Sequence, residues 1–446
     1  MKKNLLLVII VVVTIILNQS CKSCEHHEVE STNIGIPPDP KCVNAPASWF
    51  TSATTASPDD YGPFVDSATT SDCDFHLWSW QKFLSLTRSA TIKAPFENLI
   101  LVSNDLDSLG TGSLLLSDSS QAVSKATLYD KNNRAVYYSI YVNQEMYDFQ
   151  KKYLPEFEKH INNLEQKGYN TLSYPVGCVE IKAAWIRVSS LKNPQNYYVT
   201  SATLTTASGI SNVQVALIGM HILGRVANHP ELIWSTFEHD SLAPDYDWKT
   251  DKKDTTSTVL SKDNYLFYNK NTTVSNCPMN NTSQSPAGFT NVFNMFPNGM
   301  AESFTSNNLP SHRDSANDVN VKALNKSVIS QLAGVQGPWK NYFYKGALWL
   351  DDPSPAVFYP GNPNMYFLTN PFLRGSRAIS NITMETFLQL DYSHIYATGS
   401  SNCFDCHSTM DFKNDTVNGI GYNLAISHLF INALYHRLHP KAPKTP

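Results

Sequence analysis

Apolar residues open the chain as a run from Leu5 to Leu17, broken only by Thr14, behind Met1-Lys2-Lys3-Asn4. The run is too short for a bilayer span, which needs about 20 residues, and has the length of a secretory h-region. Residues 1–20 are therefore expected to be an export signal. From Glu25 to about Asp60 the chain is rich in Pro, Ser, Thr and Asp without periodicity, so residues 21–71 read as a flexible tether. Helical spacing begins with Leu77, Trp80, Phe83, Leu84 and Thr87 on one face. A second helix is expected from about Asn143 to Gln166, with Met146, Phe149, Tyr153, Phe157 and Ile161 as its buried stripe, Pro155 as an interruption and Gly168 as its stop.

The period then changes to two. Val179–Ala183 and Tyr197–Thr200 read as strands of a hairpin across the polar turn 192–196, and Val213–Gly219 as a buried strand. Residues 245–326, rich in Asn, Ser, Thr and Asp, predict long loops. Alternation resumes at Trp339–Leu350. Asn381–Leu390 reads as a short helix with Met384, Phe387 and Leu388 on one side, and Tyr422–Leu434 as a C-terminal helix before a polar tail. The expected fold class is α+β: a mixed body over 72–370 and a short, mostly helical segment over 371–446.

Composition changes this picture little. The chain has 446 residues, 42% of them apolar, enough for a large core. Only 16% are charged and the formal net charge is −4, which argues against electrostatic binding of nucleic acid or of an acidic membrane.

The chemistry is concentrated at Cys403-Phe404-Asp405-Cys406-His407. This is C-x-x-C-H, the spacing that lets two thiols bond a haem while the next histidine ligates its iron. At the chain's own Cys and His frequencies the pattern arises by chance on the order of 0.004 times. A zinc half-site, or disulfide cysteines beside an unrelated histidine, is the competing reading. At this site the chain resembles a c-type cytochrome, which implies one covalent haem c held by Cys403 and Cys406 with His407 as proximal iron ligand. For the distal position the candidates are His428, on the final helix, and Met384, whereas His394, His436 and His439 have less support. Met410, three residues after His407, starts on the proximal side. The 39 residues after His407 are too few to complete a small cytochrome domain, so the haem is expected to pack on the preceding body.

Leu17-Asn18-Gln19-Ser20-Cys21 resembles a loose bacterial lipobox, implying cleavage after Ser20 and lipid on Cys21, although Asn18 and Gln19 depart from the usual residues. Cys21-x-x-Cys24-Glu25-His26 imitates a second haem motif with the histidine one place too far. Trp80–Leu86, Val179–Trp185, Gly219–Ile222, Trp234–His239 and Thr383–Phe387 are similar to blocks of exported bacterial cytochrome c family proteins. That resemblance implies one fused architecture over about residues 75–430 and supplies no substrate. The implied function is electron transfer to a redox partner protein at the cell envelope, from a periplasmic or outer-membrane lipoprotein. The alternative is a peroxidase-like haem oxidoreductase with an open distal iron and a substrate pocket in the body.

Four further cysteines, Cys42, Cys73, Cys178 and Cys277, allow three pairings. Proximity and the need to pin a loop favour Cys42 with Cys73 and Cys178 with Cys277. His221, Glu238 and His239 have the side chains of a metal or acid–base site, against an ordinary reading of buried hydrogen bonding. No G-x-S-x-G, P-loop or dinucleotide fingerprint occurs.

Overall fold

A computed structural model describes residues 36–64, 70–120, 126–246, 259–277, 288–294, 312–351, 373–377, 379–388, 403–407 and 422–440. The expected export signal, Cys21 and the chain up to Gly35 lie outside them, and the described residues all belong to one unit, Ile36–Pro446. None of the described helices is long and apolar enough to cross a membrane.

Among the described residues ten strands form one sheet: β1 Ile100–Val102, β2 Ser108–Gly110, β3 Leu114–Leu116, β4 Tyr137–Val142, β5 Val179–Arg187, β6 Val199–Thr206, β7 Gly209–Gly224, β8 Ile233–His239, β9 Tyr342–Leu350 and β10 Leu373–Gly375. The main path runs β10-β9-β8-β7-β5-β4-β1-β2, with β6 paired to β7 and β3 to β6. Every pairing is antiparallel except β3 with β6. The α-helices among the described residues are α1 Pro40–Val43, α2 Asp72–Thr87, α3 Gln144–His160, α4 His312–Leu332, α5 Cys403–Cys406 and α6 His428–Leu438.

Side chains alternate across a strand, so each strand feeds two layers. On the first face Ile181, Ala183, Leu217, Met220, Ile222, Phe237, Tyr344 and Trp349 join the buried residues of α2 and α4 in one apolar cluster. Phe83 stacks on Phe237 with ring centroids 4.1 Å apart, and Phe75 on Trp349 at 4.4 Å. Complete burial of such a ring is worth about 2–3 kcal/mol. The Trp78 indole lies so close to the backbone of β7 that a Cβ at Gly224 would overlap it. The second face carries two separate clusters. One, spanning the sheet from β1 to β10, joins Ile100, Val102, Leu223, Trp234, Leu348 and Leu373 to α3, α6 and Phe404; the other joins Tyr138, Ala184, Ile218, Ile382, Met384 and Phe387.

Several expectations change. Residues 36–64 are part of the folded body rather than a tether. Cys42, Ala45, Trp49 and Phe64 are core residues, Cys42 is disulfide-bonded to Cys73, and Lys82 on α2 pairs with Asp60 at 3.0 Å. Nor do β5 and β6 form a hairpin. The 16-residue β7 pairs through 209–216 with β6 and through 215–224 with β5, so the tight hairpin is β6–β7. Residues 312–326, placed in a loop region by their polarity, begin α4, which buries Val321, Leu324 and Val328. The helix α3 continues through Pro155, and its buried residues are Met146, Gln150, Leu154 and Phe157, with Phe149, Tyr153 and Ile161 only partly covered. Of the 381–390 stretch the described part, 381–388, is a turn and a short 3-10 helix, Thr386–Leu388, not an α-helix. The C-terminal helix is divided at Ser427 into a 3-10 turn, Asn423–Ile426, and α6.

Cys178 and Cys277 do not pair. Cys178 packs in the cluster beneath α3, whereas Cys277 is turned to the Thr273 carbonyl of its own loop; burial pushes both thiols up to about 12. The 371–446 segment is not separable from the body either. Its β10 extends the sheet through β9, and α6 packs with α3 in the second-face core.

Candidate functional site

The strands that build the second face are apolar at most inward positions, but a polar band crosses the middle of the sheet. The register aligns Lys182 on β5 with His221 on β7 and Thr236 on β8. One row away lie Glu180, Leu223 and Trp234. On the other side Ala184, Gly219 and Glu238 align, and Lys345 on β9 reaches Glu238 at 3.1 Å.

A loop is seated on this band because Gly219 has no side chain: a Cβ there would collide with Thr383 and meet Asn381 Oδ1 at 3.0 Å. Asn381 Nδ2 donates to Thr236 Oγ1 (2.8 Å) and to the Phe237 carbonyl (3.1 Å), and the Ile382 N–H donates to Glu238 Oε1 (2.6 Å). Burial raises the pKa of Glu238, opposed by Lys345 and the Ile382 N–H. The loop thereby carries Glu385 over His221, with Nε2 2.9 Å from Oε1, while the Asn381 N–H holds the other carboxylate oxygen at 2.9 Å. Burial would raise the Glu385 carboxyl, but His221, Lys182 and that N–H outweigh it and hold it below the usual range. An ionised carboxylate only accepts, so His221 Nε2 carries the hydrogen of this bond.

Above Trp234 sits the cysteine-rich turn. Residues Cys403–Cys406 form one helical turn, closed by the His407 N–H donating to the Cys403 carbonyl (2.8 Å). That i, i+4 relation sets Cys403 and His407 on the same side. Phe404 is fully buried, its ring 6.1 Å from Trp234, and anchors the turn to β8. The His407 ring lies 4.4 Å from Trp234, and its Nδ1 is 2.9 Å from the Ile426 carbonyl. A carbonyl cannot donate, so Nδ1 carries the hydrogen and Nε2 the lone pair, the tautomer of an imidazole ready to ligate a metal. Burial first, then the charges of His428, Lys182 and His221, lower the pKa of His407 well below the ordinary histidine value and keep Nε2 unprotonated.

A buried network fixes the 422–427 segment. Ser427 Oγ donates to Glu180 Oε2 (2.8 Å), Gln150 Nε2 donates to Ser427 Oγ (3.2 Å) and Tyr174 OH (3.1 Å), and Tyr174 OH donates to the Leu424 carbonyl (3.0 Å). Burial pushes Glu180 up to about 7.

The chain matches no family model, no curated protein and no solved structure.

Of the residues selected from sequence, Cys403, His407 and His428 come together, and the His428 ring stacks on His407 with centroids 3.7 Å apart at 21°. The Cys406 side chain, Met410 and His394 lie outside the described residues. Met384 does not join them; it is wholly buried in the other second-face cluster, against Tyr138 and Ile382. His436 pairs with Asp105 at 2.7 Å, and His439 Nδ1 is 3.2 Å from the Tyr435 carbonyl. His221, Glu238 and His239 do not form one acid–base site. His221 goes to Glu385, Glu238 to Lys345 and Ile382, and His239 stacks on Tyr197 at 3.7 Å. Lys182, Trp234 and Glu385 were not selected, yet the signal was present: a lysine and a histidine at inward positions of otherwise apolar strands. Among the described residues no group of three or more His, Cys, Asp or Glu is placed to hold a metal ion. A haem iron asks less of the protein, since the macrocycle supplies four ligands and the chain one or two.

Proposed function

We propose that the protein is a mono-haem c-type cytochrome of the bacterial cell envelope, anchored by lipid on Cys21, that passes electrons to a partner protein. The observation that carries this reading is Cys403-x-x-Cys406-His407, together with the ring of His407 held at Nδ1 by the Ile426 carbonyl. In this reading Cys403 and Cys406 form the thioether bonds and His407 Nε2 ligates the iron. Haem supplies a one-electron couple when bound. The chain's own residues keep the site dry: Phe404, Tyr422, Leu424, Ile426, Leu429 and Phe430 are all buried around the turn. Ile426 fixes the ring and its tautomer, and Trp234 supports it from the sheet. The low formal charge accords with a protein partner and not with nucleic acid.

The test is expression of the full chain with its export signal in a host that attaches haem c. The wild type is expected to keep haem through denaturing electrophoresis. Cys403→Ala combined with Cys406→Ala should abolish it, and haem retained by that variant would overturn the reading. Low-spin bands in both oxidation states, indifferent to carbon monoxide, are expected of a carrier; high-spin ferric bands with rapid ligand binding would instead favour an oxidoreductase.

A further inference from the structure

Glu180 is a buried acid tied by hydrogen bonds to the segment that holds His407. Its Oε2 accepts the Ser427 hydroxyl at 2.8 Å, and the peptide between Ile426 and Ser427 presents the carbonyl that accepts His407 Nδ1 at 2.9 Å. Ser427 Oγ and the Ile426 oxygen are joined through one planar peptide and one Cα–Cβ bond, a span of no more than about 5 Å. Adding the two hydrogen bonds places Glu180 Oε2 within about 11 Å of His407 Nδ1. The sheet gives a second, independent route. Glu180 and Trp234 flank Leu223 in one row, about 10 Å apart across two strand spacings, and the His407 ring rests 4.4 Å from Trp234.

The bonds around Glu180 run in one direction. Gln150 Nε2 donates to Ser427 Oγ at 3.2 Å, which leaves the Ser427 hydroxyl hydrogen for Glu180. A carboxyl accepts that hydrogen whether it is ionised or protonated, so Glu180 changes charge without moving the segment. Burial pushes its pKa up to about 7, against Ser427 and Lys182. The other titratable groups on the elements around it are Lys182 on β5, His221 on β7, Glu145 on α3, His428 on α6, and Tyr174 and Cys178 ahead of β5. Burial drives the Tyr174 hydroxyl far upward and the Cys178 thiol to about 12, so neither changes charge near neutrality.

Charges buried at such a separation are screened little by salt. Loss of an electron from a haem ligated by His407 adds a positive charge beside the ring, and a positive charge favours the ionised carboxyl. Resting on the cytochrome reading, we propose that Glu180 couples protons to electrons at this site: electron loss to the partner protein is accompanied by proton loss from Glu180 to solvent, and electron gain by proton uptake. The 7% of Glu180 that stays exposed gives the proton its exit.

The experiment uses the full-length, haem-loaded protein, with midpoint potentials measured from about pH 5 to 9 and absorption spectra recorded throughout. The wild-type potential is expected to be level at the acid end, to fall as pH rises through neutrality, and to level again. Glu180→Gln keeps an oxygen for Ser427 and should hold one potential across the range, close to the acid-end wild-type value, with an unchanged spectrum. Ser427→Ala removes the hydrogen bond that favours the charged carboxyl, so its fall should move to higher pH. A purely structural Glu180 would instead offset the potential of Glu180→Gln equally at every pH. That offset, a wild type whose potential does not fall, or a wild-type fall that survives in Glu180→Gln would overturn the assignment. Failure of the two readings is distinguishable: no covalent haem in the wild type removes the cytochrome itself, whereas covalent haem whose potential ignores Glu180 removes only the coupling.

Discussion

Replacing Glu180 by glutamine isolates the cost of a buried carboxyl that ties the central sheet to the C-terminal segment. Glu180 is 7% exposed, it accepts the Ser427 hydroxyl at 2.8 Å, and withdrawal from water moves its pKa from an ordinary 4.5 to about 7, with Ser427 and Lys182 opposing. The folded chain therefore holds this proton more tightly than the unfolded chain. By linkage the group's stabilising protonated state is fully present below pH 4.5, and stability is lost as pH rises to about 7. At about 1.36 kcal/mol per pH unit the loss is about 3 kcal/mol, or about 3 °C of Tm for a body of roughly 400 residues. Glu180→Gln retains an oxygen for Ser427 and removes the titration. Urea denaturation of both proteins, followed by far-ultraviolet circular dichroism from pH 4.5 to 8, should show near-equal stability at the acid end. The variant should lead by up to about 3 kcal/mol at pH 8. Other titrating groups are shared and cancel in the difference. A gap independent of pH, or a wild type that gains on the variant as pH rises, would refute the reasoning.

Two further perturbations test the first-face core. Removing the Cys42–Cys73 bridge with Cys42→Ser and Cys73→Ser frees a loop closed over a separation of 31 residues. It should cost about 3–4 kcal/mol in urea denaturation and open residues 36–64 to limited proteolysis; unchanged stability and cleavage would return that segment to a tether. Phe83→Ala deletes a ring with no exposed surface, stacked on Phe237 at 4.1 Å and edge-on to Trp80 at 5.7 Å. The expected loss is about 3–5 kcal/mol by chemical denaturation, and a loss below 1 kcal/mol would mean that the layer re-closes around the gap.

The elements with strong local periodicity were legible in the sequence. The helix of Trp80, Phe83 and Leu84, the strand beginning at Val179 and the alternation that becomes β9 all needed only their own residues. What failed depended on distant partners. Residues 36–64 look like a linker by composition, but Trp49 is buried and Asp60 meets Lys82 at 3.0 Å and the Trp78 indole at 2.8 Å. The starts of β5 and β6 were close to right while their ends, at Arg187 and Thr206, and their pairing were not, because nothing local indicates that β7 is long enough to serve both. A one-residue slip of a strand in such a register would send all of its side chains to the opposite face, so the row containing Lys182, His221 and Thr236 could not be assembled before the pairing was known.

The candidate site divides in the same way. Cys403, Cys406 and His407 are legible because a single turn of chain imposes their spacing, whereas the pair His221–Glu385 joins β7 to the 381–388 loop across 164 residues of chain. Chain distance favoured His428, and the structure does bring it to His407. Yet the bonds of Ser427 to Glu180 and Gln150 set where α6 begins and leave the His428 ring beside its neighbour. Buried carboxyls and lysines cost several kcal/mol unless paired, and an all-apolar band would stabilise this sheet more. Glu180, Glu238 and Lys345 nevertheless occupy buried positions beside Lys182 and His221, Glu180 against Ser427 and the Glu238–Lys345 pair under the 381–385 loop. A local departure from apolar patterning that is individually bonded and confined to one region marks where a fold gives up stability for chemistry.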